Sequence, residues 1–262
     1  MTAPSLSLAA PDGHPLAQAV AISLAVRGTS LERVPLRQPV DLADDTALRL
    51  TCRRAAQPQV VLRDPLAMLD LTEDLHPDQP LHPRDPVRRA EHREGLALVR
   101  TVFPVLDQVC NAKAPRELDL AIHLLRSRLT RIETLLASAQ ATSGSGFSLL
   151  DTLLAPLLWR LKALDEVFDS FLLIGFGRLD ARAGWLLARP EVRGELPAVR
   201  RLDLPRQAWE RGALVARRDE QPDWSAALGP EAAEPVPVPE NNLLWRTLNT
   251  KVRSIGDGGA LR

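Results

Sequence analysis

The stretch from Phe147 to Leu161, FSLLDTLLAPLLWRL, constrains the fold more than any other part of the chain. Ser148 stands three residues before Asp151 at the head of an apolar run, the spacing of a capping box. The Ser148 hydroxyl can accept from the Asp151 amide while the Asp151 carboxylate reaches back to the Ser148 amide. Beyond the cap, apolar residues fall on nearly every side of the helical wheel, so the helix is expected to be buried all round. Ser148 and Asp151 are thus its structural N-cap.

Upstream the pattern is mixed. Ser5 to Leu8 reads as a short strand, broken by Pro11-Asp12-Gly13. Pro15 to Arg27 carries Leu16, Val20, Ile22, Leu24 and Val26 at helical positions and ends at Gly28. Leu31 to Leu36 is a second strand, and Ala47 to Cys52 with Gln59 to Leu62 form a pair around a polar turn. Asp64-Pro65 opens a helix, with Asp at the N-cap and Pro at the first helical position. A β-α-β unit, a hairpin and a helix follow one another in the order of a thioredoxin-like domain. After the proline-punctuated residues 77–86 the periodicity is helical. Residues 86–109 read as one long helix with a kink tolerated at Pro104, and residues 116–139 as a second. A loop at residues 144–146 precedes the capped helix, and residues 168–187 carry a weaker pattern. Ala232 to Glu240 is Pro-rich and expected to be an extended spacer. Leu243, Leu244, Leu248, Val252 and Ile255 then share one face of a short helix, which either docks on the body or meets a partner.

Composition narrows the function classes. The 262 residues suffice for two modest domains or one large one. A formal net charge of zero gives no electrostatic grip on nucleic acid or an anionic membrane. No apolar run reaches the length of a membrane span, and residues 1–10 lack the pattern of a secretory signal. Cys52 and Cys110 form neither a CxxC pair nor a metal-ligand spacing. The expectation is a cytoplasmic protein without a metal. No phosphate loop, hydrolase elbow or paired-carboxylate motif is present. His76, His82 and His92 lie close in sequence without Cys partners and read as a solvated linker. Trp159 is expected in the core; Trp185, Trp209, Trp224 and Trp245 could anchor the C-terminal segment or serve an interface.

The segment SLLDTLLAPLLWRL resembles the central helix of the all-α domain of glutathione transferase-like proteins, and especially the subgroup that includes stringent starvation protein A. Three further segments resemble the same superfamily: residues 14–28 its first helix, 61–71 the end of its small sheet and its third helix, and 81–93 the linker and first helix of its α domain. The resemblance implies an α+β chain. It would comprise an N-terminal thioredoxin-like domain (1–76), a linker (77–86), an all-α glutathione transferase C-terminal domain (87–190) and a Pro-rich extension with a terminal helix (191–262). It also implies a homodimer and, through the starvation-protein subgroup, a contact with RNA polymerase. The corresponding proline motif here, Pro77-Asp78-Gln79-Pro80, differs in its interior.

Glutathione is the ligand the resemblance implies, and each expected contact is altered. The reactive position at the start of the first helix falls on His14, and the absence of tyrosine excludes the Tyr classes. His14 stands either as a neutral base for the glutathione thiol or as a solvent-exposed helix-start residue without a role. The cis-proline expected near Leu48-Arg49-Leu50 is missing. The Glu/Gln-Ser pair that holds the γ-glutamyl group is replaced by Arg63-Asp64, whose carboxylate would face the ligand's own. Two readings follow: a non-catalytic regulatory or protein-interaction protein, or an active glutathione-dependent transferase or thiol reductase of an atypical class.

Overall fold

Strand β1 (Ser5–Pro11) alternates inward Leu6, Leu8 and Ala10 with outward Ser5, Ser7 and Ala9, so one face of its sheet is apolar and the other polar. The computed structural model describes residues 4–55, 57–137, 146–216, 222 and 224. Around β1 the sheet takes the order β2-β1-β3-β4. Strand β2 (Glu32–Leu36) runs parallel to β1, while β3 (Arg49–Arg53) and β4 (Val60–Leu62) are antiparallel. Leu8 pairs with Leu50, and Leu50 with Leu62. Helix α1 (Pro15–Ala25) supplies the crossover between β1 and β2, and buries Ala19, Val20, Ile22 and Leu24. Helix α2 (Pro65–Asp74) follows the β3–β4 hairpin and packs beside α1.

A polar network ties these two helices to the segment that follows. Ser23 Oγ and Thr72 Oγ1 lie 2.7 Å apart, and Arg27 Nη1 donates to Ser23 Oγ at 2.6 Å. Arg27 also pairs with Glu73, whose carboxylate accepts from the Leu81 and His82 amides at 3.1 and 3.0 Å.

Seven helices complete the described chain: α3 (Pro86–Arg100), α4 (Val102–Asn111), α5 (Pro115–Ala137), α6 (Leu149–Phe168), α7 (Gly177–Leu187), α8 (Pro190–Glu195) and α9 (Asp203–Glu210). Helix α6 lies at the centre, against α1, α3, α7 and α9, and Leu149, Leu153, Leu154, Leu157, Leu158 and Leu161 have essentially no exposed surface. At its start the Ser148 amide donates to Asp151 Oδ2 at 2.6 Å and the Ser148 hydroxyl donates to the same oxygen at 2.8 Å. Arg182 of α7 closes on the other side, with Nε 2.7 Å from Asp151 Oδ1.

Two local expectations are corrected. The helix expected over 86–109 is two, α3 and α4, divided at Thr101. Pro104 has no N–H for the Arg100 carbonyl, and the Arg128 guanidinium takes the Thr101 carbonyl. The histidines read as a solvated linker are corrected in part: His82 and His92 are both 4% exposed, with their Nδ1 atoms 2.7 Å apart, while His76 is half-buried with its Nδ1 2.7 Å from the Thr72 carbonyl. Residues 190–216 pack into the core through Val192, Leu196, Leu202, Ala208 and Val215. The expected spacer at 232–240, the helix over 243–255 and Trp245 lie outside the described residues. No described helix is long and apolar enough to cross a membrane.

Candidate functional site

His14 caps α1 from the turn after β1, with extended dihedrals (φ −64°, ψ 126°) and Pro15 at the first helical position. It is 1% exposed, so it is not a solvent-exposed helix-start residue. Residues 37–48, which run without helix or strand between β2 and β3, pass over it. Leu42 and Leu48 of that segment enter the core, and the Asp44 carbonyl lies 3.2 Å from His14 Nε2. A carbonyl only accepts, so Nε2 carries the proton and Nδ1 the lone pair. Nδ1 is buried without a hydrogen-bond partner. Burial lowers the pKa of His14 to about 4, against the raising effect of the Asp44 carbonyl and with help from the nearby Arg160 charge.

At the second position, β3 begins at Arg49, Leu48 and Leu50 are fully buried, and no peptide bond among the described residues is cis. At the third, Asp64 caps α2 by accepting from the Leu66 and Ala67 amides at 2.9 and 3.0 Å. Its second oxygen accepts from Arg100 Nη1 at 2.8 Å, and Arg100 also pairs with Asp45. Partial burial would raise the Asp64 pKa, but the Ala67 amide and Arg100 hold it below the usual carboxylate range. Arg63 is exposed and makes no hydrogen bond or ion pair with the described residues.

Two cavities flank the start of α1. One, of about 220 Å³, is lined by His14, Gln18, Arg33 and the β1 end. The other, of about 240 Å³, lies among Asp12, Gly13, residues 38–40, Leu42, Trp159, Arg160 and the segment from Arg200 to Gln207. Residues 48–50, 63 and 64 line neither. Ser148 and Asp151, at the far end of α6, line neither as well. Sequence reasoning passed over Arg160, an arginine embedded in an apolar run, although that placement was its signal. It is 5% exposed and bonds the Gly13 carbonyl and Gln18, joining α6 to the β1–α1 turn. Among the described residues no group of three His, Cys, Asp or Glu side chains could hold a metal ion.

Solved structures that share this architecture include glutathione transferases and a maleylacetoacetate isomerase. A glutathione transferase family member from Pseudomonas fluorescens, with two glutathione bound, is 16% identical at a TM-score of 0.61, over 73% of this chain and 92% of that one. A rice glutathione transferase in complex with glutathione is 18% identical at a TM-score of 0.61, over 82% and 98%. A maleylacetoacetate isomerase from Anaeromyxobacter dehalogenans is 17% identical at 0.58, over 74% and 96%. No family model matches the sequence. The chain therefore has the glutathione transferase fold, a thioredoxin-like sheet unit followed by a helical one.

Proposed function

We propose that this chain is a glutathione transferase-like protein whose glutathione positions no longer hold the tripeptide, and that it acts through a regulatory or protein-interaction role. The burial of His14 under residues 37–48, with the Asp44 carbonyl on its Nε2, carries this reading. The residues fit glutathione poorly at the other positions too. Residues 48–50 are in trans and partly in the core, and the Asp64 carboxylate is occupied by its own helix and Arg100. A homodimer and a protein partner are what the resemblance supplies. RNA polymerase is not carried over, because Pro77-Asp78-Gln79-Pro80 differs in its interior from the corresponding proline-rich motif of the starvation-protein subgroup. Calorimetric titration of reduced glutathione to several millimolar tests the reading. No saturable heat is expected; saturable binding overturns the loss of the glutathione site, and turnover of an electrophile or disulfide overturns the non-catalytic role as well.

One observation favours an active, atypical enzyme instead. The unpartnered lone pair on His14 Nδ1 would become a base at the start of α1 if residues 37–48 moved aside. On that reading His14→Ala abolishes turnover and leaves the fold intact.

A further inference from the structure

The face of the sheet turned away from α1 is open and carries positive charge. By register, three rows of residues cross it: Glu32, Ser7, Thr51 and Val61; Val34, Ala9 and Arg49; Ser5 and Arg53. Val34 and Val61 are each 40% exposed, and Glu32, Arg53 and Arg63, the residue after β4, are exposed as well. Arg49, Arg53 and Arg63 make no ion pair with the described residues. Arg49 donates to the Thr46 and Ala47 carbonyls at 3.4 and 2.7 Å, and Arg53 to Gln59 Oε1 at 3.0 Å. The acids closest to them in sequence are engaged elsewhere: Asp45 and Asp64 pair with Arg100, and Asp44 accepts from the Thr46 amide. Glu32 is the one acid in the three rows, so three guanidinium groups face one carboxylate. The rows hold no aromatic ring on which a nucleic-acid base could stack, whereas two exposed valines beside unpaired arginines suit an acidic peptide with apolar side chains.

The chain itself supplies such a peptide. Residues 219–240 contain Asp219, Glu220, Asp223, Glu231, Glu234 and Glu240, and no Arg, Lys or His. Pro235, Pro237 and Pro239 favour extended dihedrals for the sequence around them. With a period of two, Glu234, Val236, Val238 and Glu240 fall on one side, acid at both ends and apolar between. Trp224, the last described residue, packs edge-to-face on Phe168 with ring centroids 6.4 Å apart, and Arg206 lies over its ring at 5.7 Å. Arg206 belongs to the same short segment as Arg200, which pairs with Asp12 one residue past β1. From Trp224, residues 225–240 can span up to about 55 Å, more than twice the roughly 23 Å of a strand as long as β1.

We propose that residues 231–240 of this chain lie across the open face of the sheet, their glutamates paired with Arg49, Arg53 and Arg63, and Val236 and Val238 against Val34 and Val61. The proposal goes beyond the functional reading and does not depend on it. It concerns the face opposite α1 and His14, so glutathione calorimetry and the experiment below fail separately.

Carbodiimide coupling of the full chain tests it, because the reagent joins an amine to a carboxylate in contact with it. Arg53→Lys and Arg63→Lys each put an amine on or beside the face at an exposed position. Peptide mapping should recover position 53 or 63 joined to Glu231, Glu234 or Glu240. A mixture of isotope-labelled and unlabelled chains separates links within a chain from links between chains, and links within a chain are expected. Links found only between chains overturn the assignment and give the face to a second copy. Links to other carboxylates alone, or no links, overturn it outright. The natural arginines give an independent readout. In a Glu234→Gln, Glu240→Gln double variant, phenylglyoxal should modify Arg49, Arg53 and Arg63 about threefold faster, within the range for exposed ion pairs, while Arg88 on α3 keeps its rate. Unchanged rates at all three overturn the proposal.

Discussion

Asp151 serves three partners at once: the Ser148 amide, the Ser148 hydroxyl and the Arg182 guanidinium. With 1% exposure it has no solvent to replace them. Asp151→Ala should cost about 3–5 kcal/mol, the range for breaking one side of a buried pair. Asp151→Asn, which keeps an oxygen for the cap, should cost less; equal losses in urea unfolding would show that the Arg182 pair dominates. Acid sensitivity has its own residues. His14 and His92 are both held at about 4 in the folded chain by burial, below the ordinary 6.5, and His82 adds repulsion at His92. Between pH 6.5 and 4 the unfolded chain therefore binds protons that the folded one does not, so stability falls as pH falls through that window and levels off below it. Each histidine contributes about 3 kcal/mol to this loss. His14→Gln should lose correspondingly less between pH 7 and 4, measured as urea midpoints; an identical acid slope would remove His14 from the account. The identity of His14 at the helix start was legible in the sequence, but its burial was not. That depends on where residues 37–48 cross, and no local pattern in those residues states it.

Helix starts are where sequence and structure agree most closely, because their chemistry is local. Asp64-Pro65 and Asp85-Pro86 both place an acceptor on the first free amides and a proline where no N–H is needed, and both open helices. Helix ends and joints are less legible. Thr101 keeps near-helical dihedrals (φ −66°, ψ −14°), so the apolar period runs on through the joint between α3 and α4. The division comes from Pro104 together with Arg128, which is distant in sequence. Where α3 crosses α5 and α6, Gly95 lets the helices approach closely. A Cβ on Gly95 would lie 2.8 Å from Leu135 Cδ2 and 3.6 Å from Leu150 Cδ1. Gly95→Ala should change stability by less than about 1 kcal/mol, since gained helix propensity offsets a shift of the Leu135 side-chain end. Gly95→Val should cost about 2–3 kcal/mol, because the branched side chain also meets Leu150 and overpacking has no room to relax. Equal midpoints for the two variants in chemical unfolding would mean that α3 moves as a body to accept them.

At the scale of the molecule, the polar outer face of the sheet and the packing of residues 190–216 belong together. Ser5, Ser7 and Ala9 lie opposite Arg53, Thr51 and Arg49 on one face, and no helix between β2 and β3 covers them. Burial of the sheet unit therefore comes from its other face, where α1 meets α2, α6 and α8. Helix α8 reaches α1 through Gln18, which donates to the Glu195 carbonyl at 3.4 Å, and reaches β2 through the Arg33–Glu195 pair. Farther on, the Leu214 amide donates to the Ala112 carbonyl at 2.8 Å and α9 packs on α4 and α6. The strand at Ser5-Leu6-Ser7-Leu8 was legible in the sequence, and its alternation is what gives the sheet one apolar and one polar face. The docking of 190–216 is hidden in sequence, because its short helices bury isolated residues without a sustained period. Val192, Leu196, Leu202, Leu204 and Val215 are each at most 9% exposed. At about 1.5–3 kcal/mol for each large apolar side chain removed from water, their gross burial is comparable to the whole net stability of a typical domain. A chain ended after residue 189 should therefore lose its cooperative thermal transition and bind a hydrophobic dye at room temperature, while the full chain does neither. The exposed surface would be that of α1 as well as of α6, so hydrogen exchange should quicken in residues 15–25 although they are far from the cut in sequence. A shortened chain that melts cooperatively within a few degrees of the full one, with α1 still protected, would show that the sheet unit and α3–α7 form a sufficient core alone.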